Sequence, residues 1–198
     1  MIIYGASGHG KVICDIIKCN SSQEKIVFVD DAQKGNYFYN HPVFLTKDYD
    51  MHQDQLIIAI GNNLIRRKVA SRYINFGQAI HPTAVLSKTV SLSPGTVIMA
   101  NVSCNADTQI GEHVILNTSC SIDHDCEIHD FAHISPNVSL AGNVKVGTGS
   151  HIGIGATVIQ GIKIGNFATI GAGTVVINDI PDGATAVGIP AKIIKFNK

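Results

Sequence analysis

The chain has 198 residues and a mass of 21.1 kDa, room for one large domain or two small ones. Fifteen Lys and Arg balance fifteen Asp and Glu, which excludes the basic excess expected of a nucleic-acid binder. Hydrophobic residues at 45% against 15% charged exclude intrinsic disorder, and apolar runs such as 56–60 are far too short for a membrane span. Met1 to Gly5 lacks the layout of a secretory signal, so a cytoplasmic protein is expected. The five cysteines are odd in number and form no CxxC pair, which fits reduced thiols.

Strand and helix signals alternate up to about residue 78. Ile2, Ile3 and Tyr4 form a short apolar strand, followed by the glycine-rich turn GASGHG at 5–10. Val12, Ile13, Ile16 and Ile17 recur at helical spacing. A second strand over 26–29 ends at Asp30 and Asp31, and a third over 56–60 ends at Gly61. A helix is predicted over 64–76, closed by Gly77. This alternation predicts a small parallel sheet with crossover helices, an α/β, Rossmann-like domain over 1–78.

A different period governs residues 79–198. Stepping by six from Leu86 to Val176 visits sixteen positions, of which fifteen are Ile, Leu or Val and one is Cys104. Chance would give about four. The residue two places earlier is often small, as at Thr108, Cys120, Cys126, Ala132, Ser150 and Ala156. A period of six is neither helical nor simple strand. It suits a β-solenoid in which each hexad forms one flat face and one corner, its aliphatic residue pointing inward. Three hexads per coil give about five coils and a prism roughly 24 Å tall.

The glycine turn begins like a P-loop, GxxxxGK, but Val12 stands where the magnesium-binding hydroxyl belongs, and the spacing also fails GxGxxG. There remain a strand, a glycine turn and a helix N-terminus, whose free N–H groups suit a phosphate. Asp30 and Asp31 end a strand where an acid commonly meets ribose or sugar hydroxyls. A tight turn and two solvated acids are the plainer reading. Of nine histidines, His124 and His129 have the HxxxxH spacing of a zinc pair, but Lys88 occupies the place of a third ligand two coils earlier, so no metal is expected. His124 sits in Asp123-His124-Asp125, where a neutral imidazole could act as a general base and a carboxylate could orient it. Successive strand residues point to opposite faces, so the two can meet only at a corner.

GASGHG, VFVDD, AIGNN, ILNTSCSIDHDCEI, HISPNVSLAGNVKVG and AVGIPAK resemble the hexapeptide-repeat sugar O/N-acyltransferase family. Its closest members are the UDP-4-amino-sugar N-acetyltransferases of the bacillosamine pathway, with perosamine N-acetyltransferases and sialic acid O-acetyltransferases beside them. The resemblance implies a left-handed parallel β-helix assembled as a homotrimer, with acetyl-CoA held between neighbouring prisms. It implies His124 as catalytic base, Asp125 as its partner and Gly142 as an oxyanion donor. Asn117 reads equally as a helper near His124 or as a structural asparagine. The resemblance places the nucleotide sugar on Ser7, Gly8, His9, Asp30, Asp31 and Gly61, and acetyl-CoA on His133, Ile154 and Ala172. His133 follows His124 by nine residues, half a coil, so the two share a site only across subunits. The expected activity is acetyl-CoA-dependent N-acetylation of a nucleotide-linked amino sugar, with a UDP-4-amino-4,6-dideoxy sugar as acceptor. An O-acetyltransferase, a γ-class carbonic-anhydrase-like zinc lyase and a non-catalytic scaffold are the rival readings.

Overall fold

The computed structural model describes residues 1–32, 35–52 and 54–196. Its first part comprises β1 (Ile2–Tyr4), α1 (Gly8–Asn20), β2 (Val27–Asp30), β3 (Tyr37–Phe38), β4 (His41–Leu45), β5 (Leu56–Ile58) and α2 (Asn63–Ala70). These strands form one sheet in the order β3-β4-β2-β1-β5. All pairings are parallel except the β3–β4 hairpin. β1 and β5 are unbroken apolar runs, buried throughout, because both faces of the sheet are covered.

The hairpin carries no strong signal in the sequence. Helix α2 is shorter than its periodicity predicts, and tertiary pairing is the reason. Leu56 donates its N–H to the Asn75 carbonyl, and Gly77 donates to the Leu56 carbonyl. Residues 75–77 are thereby drawn out beside β5, and Ile74, the residue that would extend the helical stripe, is 90% exposed.

From Ala79 onward the chain is a left-handed β-helix with three faces. The first face carries strands such as Ile115–Leu116, His133–Ile134 and His151–Ile152. The second carries Ser103–Cys104, Ser121–Ile122 and Ser139–Leu140, and the third carries Glu127–Ile128 and Lys145–Val146. Each strand has two residues, the first outward and the second inward. Register is kept from coil to coil, so that Leu116 stacks on Ile134 and Ile134 on Ile152. Ala184–Val187 extends the first face, and Lys192–Phe196 returns antiparallel along it.

The period of six is two strand residues plus a four-residue corner. The third corner residue has positive φ at Asn101, Ser119 and Asn137 on one edge, Asp107, Asp125 and Asn143 on the next, and His113, Phe131 and Phe167 on the last. Asn and Asp tolerate that conformation through short polar side chains; the aromatic residues hold it only because their rings are packed. The fourth corner residue turns inward, which explains the column of small residues: Cys120, Cys126, Ala132 and Ala156 are all fully buried.

The two parts share a core. Ala79, Val97, Met99 and Ile115 of the first face pack with Ile13, Ile17, Phe28 and Ile57. At the neighbouring edge the His113 ring meets Phe76 edge-on at 4.3 Å and stacks on Phe131 at 5.1 Å. Burial pushes His113 down to about 4.

His9 and His133 are likewise held neutral, down to about 4 and about 3, mainly by burial. Below the ordinary histidine value of about 6.5 the unfolded chain takes up protons that these rings refuse. Stability should therefore be level near neutrality and fall as the pH drops from about 6.5 toward about 4. Thermal unfolding followed across that range checks this; His113→Asn, less stable throughout, should show a shallower decline, and a flat profile for the unaltered protein would contradict it.

Candidate active site

Two groups of polar residues arise from two different devices. The first lies at the C-terminal edge of the sheet, where β1, β2 and β5 end side by side. This edge collects the GASGHG turn, Asp30, Asp31 and Gly61, in the place where open α/β sheets bind ligands. Its glycines divide into two kinds. Gly5 has φ +113°, and a Cβ there would stand 2.9 Å from the Ala59 carbonyl oxygen. A Cβ on Gly10 would collide with the Gly5 carbonyl and crowd the Phe28 ring. The chain itself requires those two glycines. Gly8 and Gly61 have no atom within 4 Å of such a Cβ. Their bare backbones lie open to a group from outside the chain.

Asp30 shapes this edge. Its Oδ2 accepts the Ala6 N–H and its Oδ1 the Ala32 N–H, both at 2.9 Å. Asp31 Oδ1 accepts the Thr46 hydroxyl at 2.6 Å and the Tyr4 hydroxyl at 2.7 Å, and these bonds hold its carboxyl below the usual range. Ser7 precedes α1 and makes no capping bond through its side chain. His9 reaches inward from the first turn of α1, its Nε2 buried without a partner among the described residues.

The second group is made by a corner between the second and third prism faces. Asp125 is the left-handed corner residue, φ +59°, and this turn brings its carboxylate back to the preceding imidazole. His124 Nδ1 lies 2.7 Å from Asp125 Oδ2. Asp123 Oδ1 accepts the His124 N–H at 2.8 Å and also the Asn105 amide. The Asp125 hydrogen bond, then the charge of Asp123, raises the imidazole above its ordinary value. With Nδ1 donating to Asp125, the lone pair sits on Nε2, the arrangement of an exposed base. One coil on, 18 residues later, is Gly142. A Cβ there would stand 2.7 Å from His124 Cε1 and 2.8 Å from Nε2. The glycine makes room for the ring.

His133, on the first face, joins the other group. It stacks on His151 at 4.9 Å. Asn117 stands 3.1 Å from His133 Nε2, and its own oxygen already accepts the Thr118 N–H, so Asn117 presents its amide N–H to the ring. The proton of neutral His133 is then on Nδ1, which is buried and meets the geometric criteria for a hydrogen bond with no group among the described residues. Asn117 thus meets the ring of His133, so of its two sequence readings the helper beside His124 is not the one seen. Beside this pair a cavity of about 1020 Å³ opens between Gly61–Leu64 and the coils of Gly149, His151 and Phe167.

Within the chain His124 and His133 therefore lie on different sides of the prism, as the half-coil offset predicts. Ile154 and Ala172 occupy equivalent places in consecutive coils at the corner following the first face, and both are exposed. Arg66, Asn63 and the Phe76–His113–Phe131 stack escaped the sequence reading, since nothing in a short helical pattern marks one arginine among three basic residues. Among the described residues no group of three or more His, Cys, Asp or Glu could hold a metal ion. His129 stands near Glu127, at 3.8 Å, rather than with His124. No helix among the described residues is long and apolar enough to cross a membrane.

Residues 1–73 match the PglD N-terminal domain. Over nearly its whole length the chain matches a His-to-Asn mutant of perosamine N-acetyltransferase from Caulobacter crescentus, solved with CoA and GDP-perosamine. The identity is 35%, over 98% of this chain and 96% of that one, with a TM-score of 0.91. The chain belongs to the hexapeptide-repeat sugar acyltransferase family. Its likeness to the acetyltransferase domain of PglB from Neisseria gonorrhoeae FA1090, solved with acetyl coenzyme A, is equally extensive: 36% identity, 98% of each chain, TM-score 0.92. UDP-N-acetylbacillosamine N-acetyltransferase of Bacillus subtilis (strain 168) is 42% identical over 108 residues. That match spans about half the length of each of the two chains.

The two kinds of glycine give a test. Gly10→Ala should lower stability by about 1–3 kcal/mol, the usual cost of overpacking. Gly8→Ala should leave thermal unfolding unchanged and weaken binding at the sheet edge. Gly142→Ala should also fold normally while displacing the imidazole, visible as a changed His124 ring signal in NMR. Equal destabilisation by Gly8→Ala and Gly10→Ala would remove the distinction.

Proposed function

We propose that the protein is an acetyl-CoA-dependent N-acetyltransferase acting on a nucleotide-linked amino sugar, with a UDP-4-amino-4,6-dideoxy sugar as the expected acceptor. The observation that carries this reading is the His124–Asp125 pair at 2.7 Å, with Nε2 beside Gly142 and unbonded among the described residues, on a prism whose companion N-terminal domain offers a separate open edge for a nucleotide. The relatives point the same way: one was solved with CoA and GDP-perosamine, another with acetyl coenzyme A, and a third is named a UDP-N-acetylbacillosamine N-acetyltransferase.

In this reading Gly8 and the first turn of α1 receive the phosphates, whose charge suits free helical N–H groups. Ser7, His9, Asp30, Asp31 and Gly61 surround the rest of the acceptor. The backbone of Ile154 and Ala172, with His133, holds acetyl-CoA. The amine attacks the thioester carbonyl directly. His124 Nε2 takes the proton that the nitrogen must lose, and Asp125 stabilises the imidazolium that results. The Gly142 N–H, which no acceptor among the described residues engages, steadies the oxyanion until the C–S bond breaks and the CoA thiolate leaves with a proton. Because His124 and His133 lie on different sides of one prism, a complete site is formed between subunits of a homotrimer.

Thiol release from acetyl-CoA, measured with UDP-, GDP- and CMP-linked sugars, tests the activity. Transfer to an amino sugar is expected; transfer only to hydroxyl acceptors, or none at all, would overturn it. Light scattering should give three times the mass of the 21.1 kDa chain.

His124→Ala should lower kcat by about 10² to 10⁴ with little change in either dissociation constant. The imidazole must be neutral to act, and Asp125 raises its pKa, so the rate should climb with pH through a value above the ordinary histidine range. Asp125→Asn should move that limb to lower pH and cut the rate less. His129→Ala should be close to neutral. Near-full turnover by His124→Ala would defeat the general-base assignment.

A further inference from the structure

Arg66 is the largest side chain among those fully buried, 1% exposed, and no carboxylate among the described residues pairs with it. All five of its N–H groups are nevertheless used. Nε donates to the His113 carbonyl at 2.9 Å. Nη1 donates to the carbonyls of Ile60 at 2.9 Å and Gly61 at 3.2 Å. Nη2 donates to Asn63 Oδ1 at 2.8 Å and to the Phe131 carbonyl at 2.7 Å, with Ala132 at 3.5 Å. Asn63 continues the connection, its Nδ2 donating to the Gly149 and Ser150 carbonyls.

These partners come from two sources. Ile60, Gly61 and Asn63 form the turn after β5. His113 and Phe131 are left-handed corner residues of consecutive coils, and the latter leads directly into the strand of His133. A buried cation without a counter-charge is costly, and an apolar residue of similar size would be cheaper. What an apolar residue cannot do is bind five oxygens at fixed angles. Burial lowers the guanidinium to about 9, so it stays charged at neutral pH.

We infer that Arg66 is a positioning residue: it clamps the Gly61 turn to the coil that carries His133, and thereby fixes the acceptor edge against the prism. The inference rests on the acceptor site proposed above, but its structural half can be judged without any substrate. Displacement of such a turn by an ångström is enough to cost on the order of 10² in rate.

Arg66→Lys keeps the charge and loses the planar fork. In the unliganded variant, amide hydrogen exchange at Gly61, Asn62 and Asn63 should quicken at least tenfold while exchange in β1 stays within twofold of the unaltered protein. With the best nucleotide sugar of the panel, kcat/KM for the acceptor should fall at least tenfold, and KM for acetyl-CoA should stay within twofold. Should Arg66→Lys fail to fold, Asn63→Ala removes one partner and should show the same local effect at about threefold. Unchanged exchange in the turn would overturn the inference, as would acceleration in β1 to the same extent, which is the mark of a merely structural role. If the unaltered protein acetylates no nucleotide sugar, the proposed function falls, and the exchange data still decide whether the clamp exists.

Discussion

Every functional position in the prism depends on one constraint: the chain must return to the same column after 18 residues. The left-handed residue at the third corner position enforces it. Each such residue turns the backbone so that the next two-residue strand meets its neighbour in the coil below, in register from Ile80 to Val176. His124 lies one coil from Gly142, His133 one coil from His151 and Ile154 one coil from Ala172, each in the same column, for this reason alone. The same turn supplies chemistry. At Asp125 it folds a carboxylate back onto the residue before it, a contact that two neighbours on a flat strand could not make.

The N-terminal part is attached to the prism by a shared apolar core and by a seam of aromatic rings and backbone carbonyls. The seam is buried and carries positive charge from Arg66. Burial and that charge together keep His9, His113 and His133 neutral. Neutral imidazoles with buried nitrogens that find no partner among the described residues give the junction a hydrogen-bonding capacity those residues do not satisfy. Exposed His124, pinned by Asp125, is shifted the other way. Histidines of one chain thus have opposite tendencies, set by burial in one case and by a carboxylate in the other.

The prism was legible because its signal is a strict period repeated sixteen times, and the glycine turn because its helix and strand flanks are strongly apolar. The pairing of His124 with Asp125 could be placed at a corner by counting hexads. The end of α2 could not be foreseen: Ile74 fits the helical stripe, and only the pairing of residues 75–77 with Leu56 draws the chain out of it. Asn117 was near His124 along the chain but nearer His133 across one coil, a relation that depends on which amide face Thr118 occupies. Arg66 left no trace in the sequence, since its partners are backbone carbonyls and one amide oxygen, and carbonyls are the same in every sequence.

The 18-residue return also sets how such a protein can change in length. Loss or gain of one residue within the solenoid would exchange the inward and outward columns for everything downstream, emptying the core and burying the polar rim. A whole coil is the smallest unit that can be duplicated or deleted in silence. Its location still matters: a coil added beyond Gly161 would leave the His124–Gly142 contact intact while making the prism taller by one strand spacing. The lineage of this fold is therefore expected to vary in steps, its shape quantised in coils, with the chemistry confined to the few rungs that no insertion separates.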